Sequence, residues 1–438
     1  MVSCNDQNLV YNIKISSVGP GRVTGSDVMY EPSGMDLAMK LHYLKGVYFF
    51  SSEATQGMNI MRIKESTFYW FNEFYMTCGR FRRSDITGRP YMKCNDCGVR
   101  VIEAQCDMTV DEWLETKDSS LNNLLVYHQP IGPELSFSPS IYLQVTKFKC
   151  GGMSLGLSWA HVLGDPFSAS ECLNKWSPFL AGLKSNGPLQ IRRSPKRLEH
   201  SEHAKQPLSL KRVDPVGDHW VTANNCKMET FSIYLTALQV SHFLSKIWGQ
   251  NPIEEAPLFE SLCAIMWQCI AKVREEHEPK LVTICKKDPN YPKSGILSNT
   301  QIISSVEADF SIKDSDLKKL ANLLVDRASD ERNQIEKMVE KDNGLIDYII
   351  YGANLTFVDF EKANLYGLEW NKYKPKFVHY TIQGVGDEGA VFVLPRPEDS
   401  EKHNGEGRVV TVILPEKEVT KLKCELKDNG IFLQGDLE

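Results

Sequence analysis

The sequence predicts an α/β protein made of two similar domains, each built on a mixed sheet. The chain has 438 residues, which is more than a single hydrophobic core usually serves. Strand-like and helix-like hydrophobic patterns alternate in both halves, and a polar stretch rich in proline and basic residues separates them. We therefore expect a first domain over residues 1–182, a crossover linker over 183–224 and a second domain over 225–438.

The elements of the first half follow from the spacing of its apolar residues. Phe68, Phe71 and Phe74 recur at helical spacing, which predicts an amphipathic helix around them. Short runs of β-branched and aromatic residues predict buried strands. In order, these patterns predict a helix over 36–43, a strand over 46–50, a helix over 65–76, and strands over 99–103, 141–147 and 153–160.

The second half repeats this alternation. Residues 258–273 form an apolar helical pattern around Trp267, which is more typical of a core helix than of a cofactor site. Gly249 ends a preceding helix, and Asp316 is suited to cap a later one. The other predicted elements are a strand over 228–235, a charged helix over 330–341, strands over 377–382, 390–394 and 409–414, and a helix over 416–427.

His161 and Asp165 are the most informative pair, because they follow directly on the apolar run 151–160. Gly164 and Pro166 prevent a helix through the pair, so His161 is expected at a strand end facing a cleft. A neutral imidazole there could take a proton from a substrate hydroxyl or amine. Alternatively, Asp165 caps a helix that begins at Pro166, and His161 is a hydrogen-bonded structural residue. The pair alone leaves both interpretations open.

Composition excludes several classes of protein. Apolar residues make up 42% and charged residues 24%, as in soluble globular proteins. A net charge of −6 without a strongly basic stripe argues against a nucleic-acid partner. No stretch approaches the ~18 uninterrupted apolar residues that indicate a transmembrane segment. We also find no apolar signal-peptide core near the N-terminus.

The twelve cysteines are scattered, and several lie in apolar surroundings, which is typical of reduced thiols in a cytosolic protein. Cys94 and Cys97 form a C-x-x-C pair that could bind zinc or carry out redox chemistry, but no second pair with ligand spacing follows. The residues between and after them favour a hairpin turn joining 91–93 to 99–102. We therefore expect no metal site and no functional disulfide here.

Several segments, in the right order over nearly the whole chain, resemble the BAHD acyl-CoA-dependent acyltransferases of plants. His161 and Asp165 match the family's HxxxD motif. The other matching segments are Met35 and Asp36 with residues 47–50, the apolar helix 259–274, residues 295–299 in place of the GYFGN motif, and residues 364–375 in place of DFGWG-K-P.

This resemblance implies two similar α/β domains with a solvent channel between them. It implies that His161 is a general base that deprotonates an acceptor hydroxyl or amine, which then attacks the thioester of an acyl-CoA. Asp165 would maintain the local geometry, often by pairing with an arginine. The family needs no metal and no tightly bound cofactor, so acyl-CoA is expected only as a substrate or ligand.

The chain also departs from the family pattern. Glu369 replaces the aspartate of DFGWG, and Asn371 and Tyr373 replace its two glycines, so we expect a different turn there. Only lysines precede the GYFGN position, and a lysine cannot form a bidentate fork with Asp165. We assign His161 as the general base if the protein is active, and Asp165 and Glu369 as structural residues at the site.

These departures, together with residues 36–43, 93–96, 148–152, 351–357 and 380–387, resemble the eceriferum/glossy branch of plant cuticular-wax proteins. That resemblance implies an accessory protein for very-long-chain fatty acid elongation, acting with a 3-ketoacyl-CoA synthase. Recruitment by this partner would place the chain on the cytosolic face of the endoplasmic reticulum, or otherwise in the cytosol or nucleus. The alternative is an active acyl-CoA transferase that forms an ester or amide with His161 as base.

Overall fold

The structure, a computed structural model, describes residues 9–25, 27–116, 118–184, 206–249, 256–274, 277–290, 297–397 and 407–428. Most of its strands belong to two large sheets. The strands are β1 (Val10–Val18), β2 (Met29–Tyr30), β3 (Tyr43–Phe50), β4 (Arg80–Arg83), β5 (Pro90–Lys93), β6 (Val99–Cys106), β7 (Ile141–Phe148), β8 (Met153–Ala160), β9 (Lys211–Arg212), β10 (Met228–Leu235), β11 (Leu281–Lys286), β12 (Ile302–Glu307), β13 (Ser329–Asp330), β14 (Tyr348–Ile349), β15 (Leu355–Asp359), β16 (Phe377–Gln383), β17 (Ala390–Pro395) and β18 (Arg408–Pro415).

Helices pack against these sheets. The α-helices are α1 (Gly34–Ala38), α2 (Ser52–Thr55), α3 (Ile60–Trp70), α4 (Val110–Glu115), α5 (Pro166–Asn174), α6 (Ser177–Leu180), α7 (Ala237–Trp248), α8 (Leu258–Val273), α9 (Leu317–Asp326), α10 (Arg332–Lys341) and α11 (Glu416–Asp428). Short 3₁₀ helices occupy Tyr75–Cys78, Ser119–Leu125 and His161–Leu163.

The first large sheet has the strand order β1-β6-β7-β8-β3-β16. Its β6 and β7 are parallel, and its other neighbouring strands are antiparallel. Strands β3 and β8 are buried along their whole length. Because both faces of these strands are covered, the small residues that alternate with large apolar residues in β8 are buried too, and β3 is apolar at most positions.

The second large sheet has the order β10-β18-β17-β15-β11-β12-β13, and β15 runs parallel to β11 and β17. Helices α7, α8, α9 and α11 share a hydrophobic core with this sheet. Trp267 of α8 is fully buried and donates its indole N–H to the Pro279 carbonyl at 2.7 Å. Two mixed sheets with packed helices confirm the predicted α/β fold class.

The two halves of the chain are joined by an exchanged strand. β16 follows most of the second sheet in the chain but pairs with β3 at the edge of the first sheet. The Tyr380 ring lies where a side chain of Gly46 would be, since an added Cβ there would be 2.7 Å from it. Tyr380 also shares a 2.7 Å hydrogen bond with the Tyr48 hydroxyl. The expected domain boundaries at 182 and 225 stay a prediction. β16 lies in the C-terminal half of the chain but belongs to the first sheet, so contiguous halves do not separate the two sheets completely.

Two predicted helices have different ends in the structure. The helix predicted over 36–43 stops at Ala38, and residues 43–45 instead lengthen β3. The helix predicted over 65–76 begins earlier, after the N-cap Asn59, and ends at Trp70. Phe71 and Phe74 are still fully buried, because the chain turns after Trp70 and not because the helix continues.

The hairpin predicted around Cys94 and Cys97 is wrong. β5 pairs with β2 and β4, whereas β6 pairs with β1 and β7, so this segment connects two different sheets. Asp96, which has a left-handed φ of 54°, accepts the Thr24 amide N–H at 2.8 Å. This contact with a distant residue fixes the connection, and a local turn pattern cannot reveal it. Cys94 and Cys97 are both free thiols.

Buried ion pairs hold the halves together. Lys40, after α1, pairs with Asp347 at 2.7 Å, and their side chains are 1% and 4% exposed. Arg89 and Glu340 of α10 form a second pair at 2.7 Å, with exposures of 2% and 4%. Because a buried charge that loses its partner keeps its desolvation cost, these pairs resist separation of the halves.

Asp347→Ala tests this arrangement. The substitution leaves the Lys40 ammonium group buried without its counter-ion, and we expect the free energy of unfolding to fall by about 3–5 kcal/mol. Urea unfolding at neutral pH measures it. The control is Glu65→Ala, whose partner Lys184 and whose own side chain are more than half exposed, and it should cost under ~1 kcal/mol. Equal, small losses in both variants would contradict the structural role of the buried pair.

Candidate functional site

His161 lies where two central strands of the first sheet meet the second half of the chain. β8 ends at Ala160, which is paired with Tyr43 at the start of β3. The His161 amide N–H donates to the His42 carbonyl at 3.0 Å, and a 3₁₀ turn then carries the chain away from the sheet. The strand-end position predicted from the sequence is therefore present.

Asp165 is the N-cap of α5, with Pro166 in the first turn, as the structural interpretation expected. Its Oδ1 accepts the Ser168 amide N–H at 2.8 Å. Its Oδ2 accepts the amide N–H groups of Thr300 and Gln301 at 2.9 and 3.0 Å. Backbone amides thus supply the hydrogen bonds that an arginine was expected to supply in the family.

Burial dominates the chemistry of this carboxyl group. Asp165 is 0% exposed. Burial raises its pKa to about 6, although the hydrogen bonds from Ser168, Thr300 and Gln301 act in the opposite direction. The carboxylate has no substrate-facing surface, so its contacts position the loop that carries His161.

The His161 side chain is fully buried, although the sequence suggested that it would face an open channel. Its Nε2 lies 3.0 Å from the hydroxyl of Tyr351. The Gln301 side-chain amide donates to the same hydroxyl at 2.8 Å. The Tyr351 hydroxyl thus lies within hydrogen-bond distance of both Gln301 and the imidazole nitrogen that would have to accept a substrate proton, so that nitrogen is already engaged.

Burial also sets the charge of the two histidines at this position. It lowers the pKa of His161 to about 4 and the pKa of His42 to about 3, the latter with a contribution from His161. The two rings meet edge to face at 6.4 Å, and the His42 Nε2 accepts the Ile350 amide N–H at 3.1 Å. Both imidazoles are neutral at physiological pH.

Asn299 links the two halves behind His161. Its side-chain Nδ2 donates to the His161 carbonyl and to Asp36 Oδ1, both at 2.9 Å. Its backbone N–H donates to the same Asp36 oxygen at 3.0 Å. Residues 297–299 of the predicted GYFGN-like segment thus lie beside the HxxxD loop, while residues 295 and 296 lie outside the described part of the chain.

Glu369 is not brought to His161. Its neighbour Trp370 stacks on Phe50 with ring centroids 4.5 Å apart, and Phe50 is at the opposite end of β3 from Tyr43. Seven residues of strand separate those ends by roughly 23 Å. Glu369 instead donates its backbone N–H to the Ser177 hydroxyl at 2.8 Å, so its place at the predicted site is wrong.

The turn after Glu369 agrees with the expectation that Asn371 and Tyr373 do not both adopt the left-handed conformation. Asn371 and Lys372 have φ of 48° and 71°, whereas Tyr373 is not among the residues with positive φ. Trp370 and Tyr373 exchange backbone hydrogen bonds at 3.0 and 2.9 Å across them, as in a tight two-residue turn. The amide of Asn371 donates to the carbonyls of Ala54 and Gln56, which holds this turn against α2.

A cavity of about 410 Å³ lies near the edge strands of the two large sheets. Its walls include Lys45 of β3, His379 and Thr381 of β16, and Thr230 of β10. His161 is not among its lining residues. At the inner end, Gly384 packs against the backbone of Leu41 and His42, since an added Cβ would be 2.2 Å from the Leu41 carbonyl.

Sequence reasoning missed Tyr351, Gln301 and Lys45. Tyr351 and Gln301 are distant from His161 in the chain, and no local pattern marks them as its partners. Lys45 is a single lysine inside an apolar run, which is a signal that could have been noticed. Among the residues that the structure describes, no group of three histidine, cysteine or carboxylate side chains could hold a metal ion.

Comparisons with known proteins agree with the fold. A model of the Transferase family matches residues 20–286. Eceriferum 26 of Arabidopsis thaliana is 44% identical over 97% of both chains, and eceriferum 2 of the same plant is 35% identical over 95% of this chain and 98% of that protein. A hydroxycinnamoyltransferase of Narcissus pseudonarcissus is 25% identical over 89% of this chain and 94% of its own.

Solved structures show the same architecture at low sequence identity. Vinorine synthase has a TM-score of 0.65 and 15% identity, covering 96% of this chain and 98% of its own. The TRI101 protein of F. graminearum, complexed with coenzyme A and deoxynivalenol, has a TM-score of 0.69 and 13% identity, covering 92% and 98%.

Asp165→Asn should change how stability depends on pH. The pKa of Asp165 in the folded protein, about 6, lies above the unfolded value of about 3.9. The folded state therefore binds this proton more tightly, and the group lowers stability as the pH rises from about 4 to 6. We therefore expect the difference in unfolding free energy, wild type minus variant, to decrease as the pH rises through this range.

Urea unfolding of both proteins at several pH values in that range measures this difference. At neutral pH the variant should also lose about 1–3 kcal/mol, because its single amide oxygen cannot accept all three backbone N–H groups. A difference that grows with rising pH would show that the amide donors outweigh burial and depress the pKa of this carboxyl group.

Proposed function

This chain belongs to the Transferase family, the BAHD acyltransferases, and groups with its eceriferum members; from this we propose that it is an accessory protein for very-long-chain fatty acid elongation in cuticular wax biosynthesis. In this role it acts with a 3-ketoacyl-CoA synthase, the condensing enzyme of the endoplasmic-reticulum elongase. The identity with eceriferum 26 and eceriferum 2 over nearly the full length supports this assignment.

The observation that carries the proposal is the state of His161. A general base needs a free lone pair that points at the substrate proton, and the Nε2 of His161 is already hydrogen-bonded to Tyr351. A base works best when its pKa lies near the working pH, but burial lowers the pKa of His161 to about 4. These features favour a structural imidazole over a proton acceptor.

The partner gives this chain its access to the membrane in the proposal. None of the helices in the described part of the chain is long and apolar enough to cross a lipid bilayer. Recruitment by the condensing enzyme would bring the chain to the cytosolic face of the endoplasmic reticulum. The contribution of this chain would then be to the product length of its partner, without a covalent step of its own.

An active acyl-CoA transferase is the second candidate, since His161 and Asp165 are both retained. A TRI101 structure that shares the fold is complexed with coenzyme A, which suggests acyl-CoA as a substrate or ligand here too. In that case Tyr351 has to move away, so that the Nε2 of His161 can accept the proton of a hydroxyl or amine while the acyl group is transferred from the thioester sulfur to the acceptor.

His161→Gln separates the two functions. The amide oxygen of glutamine can still accept the Tyr351 hydroxyl, but glutamine cannot act as a base at neutral pH. We expect the variant, co-expressed in yeast with a plant 3-ketoacyl-CoA synthase, to extend fatty-acid length as the wild type does. Gas chromatography of total fatty acids gives the readout, and the exposed His242→Gln is the matched control. If the variant is folded, as abundant as the wild type and bound to its partner, loss of elongation would contradict the accessory function.

Tyr351→Phe tests for latent acyl transfer. The substitution removes the hydroxyl that occupies the Nε2 of His161 without changing the ring. Under the accessory proposal, neither wild type nor variant releases coenzyme A from a long-chain acyl-CoA in the presence of an alcohol or amine. If thiol release appears in Tyr351→Phe and falls by roughly 10²–10⁴ when His161→Gln is added, His161 is a catalytic base and the second candidate is correct.

A further inference from the structure

The 410 Å³ cavity is lined by residues of two edge strands. β16 is the edge of the first sheet and β10 is the edge of the second. A 3.3 Å hydrogen bond between Ser232 and His379 joins the two strands. The cavity adjoins a more open groove of about 660 Å³, which shares Asn123 and Thr230 with it. A small ligand therefore has a route from solvent.

Lys45 places an uncompensated positive charge in this cavity. Its side chain is only 8% exposed, and its hydrogen bond is to the neutral amide oxygen of Asn123, at 2.6 Å. Among the described residues that line the cavity, Lys45 is the only charged side chain, and none is a carboxylate. A buried ammonium group without a counter-ion carries a desolvation cost that an anion would offset.

Hydroxyl donors lie beside this charge. Thr381 is the cross-strand partner of Lys45, and Thr230 lies on the opposite wall. Among the residues that the structure describes, neither hydroxyl has a hydrogen-bond partner. An ammonium group and two unengaged hydroxyls are suited to the several lone pairs of a single oxyanion.

We propose that this cavity is a binding site for a small organic oxyanion, a carboxylate or a phosphate monoester, held by the Lys45 ammonium group and the hydroxyls of Thr230 and Thr381. Val47, Val126 and Ile413 form an apolar part of the wall, so the ligand carries a short apolar body. The volume is near the lower end of small-molecule sites, which favours a compact ligand.

The neighbouring histidines add no charge to this site, so Lys45 alone supplies its positive charge. Burial, and then the charge of Lys45, lower the pKa of both His128 and His379 to about 4, so both rings are neutral at pH 7. Burial alone lowers the pKa of Lys45 to about 8, which leaves it mostly protonated at that pH. This inference does not rest on the proposed function, because it concerns binding away from His161.

Calorimetric titration of the full chain at pH 7, in a buffer with chloride as its only anion, tests the site. The probes are octanoate, inorganic phosphate and the neutral 1-octanol. We expect at least one of the two oxyanions to bind, and 1-octanol to bind at least tenfold more weakly than octanoate if octanoate is the ligand. Binding of octanoate alone assigns a carboxylate, and binding of phosphate alone assigns a phosphate ester.

Lys45→Met is the decisive variant, since it retains the length of the side chain and removes the charge. We expect roughly 10- to 100-fold weaker oxyanion binding, as for loss of a hydrogen bond to a charged group. Lys147→Met, at an exposed position of the same sheet, is the control and should leave binding unchanged. If Lys45→Met does not fold, Thr381→Val should weaken binding several-fold. Absence of oxyanion binding, or equal binding by the folded cavity variant and the wild type, would overturn the proposal.

Discussion

The structure depends on how two buried carboxylates of the first half are solvated by the second half. Three consecutive backbone N–H groups, those of residues 299–301, donate to Asp36 and Asp165. Both carboxyl groups are at most 1% exposed, and burial raises the pKa of each. Water cannot reach either carboxylate to replace these hydrogen bonds. The segment 299–301 must therefore stay in place for the two buried groups to be stable. Asn299 also donates to the His161 carbonyl, so the position of His161 follows from this constraint.

The same constraint determines the chemistry available at His161. A loop held by Asn299 on one side and Asp165 on the other presents the imidazole to Tyr351 and Gln301 instead of to solvent. Burial that stabilises the loop also makes the imidazole a weak base. Retention of His161 in the sequence therefore has a structural explanation, in the hydrogen bonds that its backbone and its Nε2 make in a closed junction.

Sequence reasoning could predict those parts of the structure that local patterns specify. The apolar runs of β8 and α8, the cap at Asp165 and the strand-end position of His161 all follow from neighbours in the chain. The partners of His161 could not be predicted, because Tyr351 and Gln301 reach it only through the packing of the two halves. The placement of β16 beside β3 could not be predicted either. The hydrophobic pattern of a sequence can identify a strand, but it does not show which sheet the strand joins. Glu369 was misplaced because a family motif marks a position in the chain, while the contacts of residues 369–371 with α6, β3 and α2 decide where it lies.

Lys45 and His161 are both buried basic groups whose pKa values burial lowers, but their surroundings differ. His161 is buried in its neutral form, with its Nε2 hydrogen-bonded to Tyr351 and its Nδ1 without a partner among the described residues. Lys45 is buried beside empty space, so its charge is left with one amide and two unengaged hydroxyls. Opening the junction at His161 would remove the hydrogen-bond donors of Asp36 and Asp165 and would separate the Lys40–Asp347 ion pair. Each loss would cost at least ~1–3 kcal/mol of stability. The Lys45 cavity can receive a ligand without breaking any of these contacts. A small molecule can therefore bind more readily beside the edge strands β10 and β16 than at the closed junction that carries the HxxxD motif.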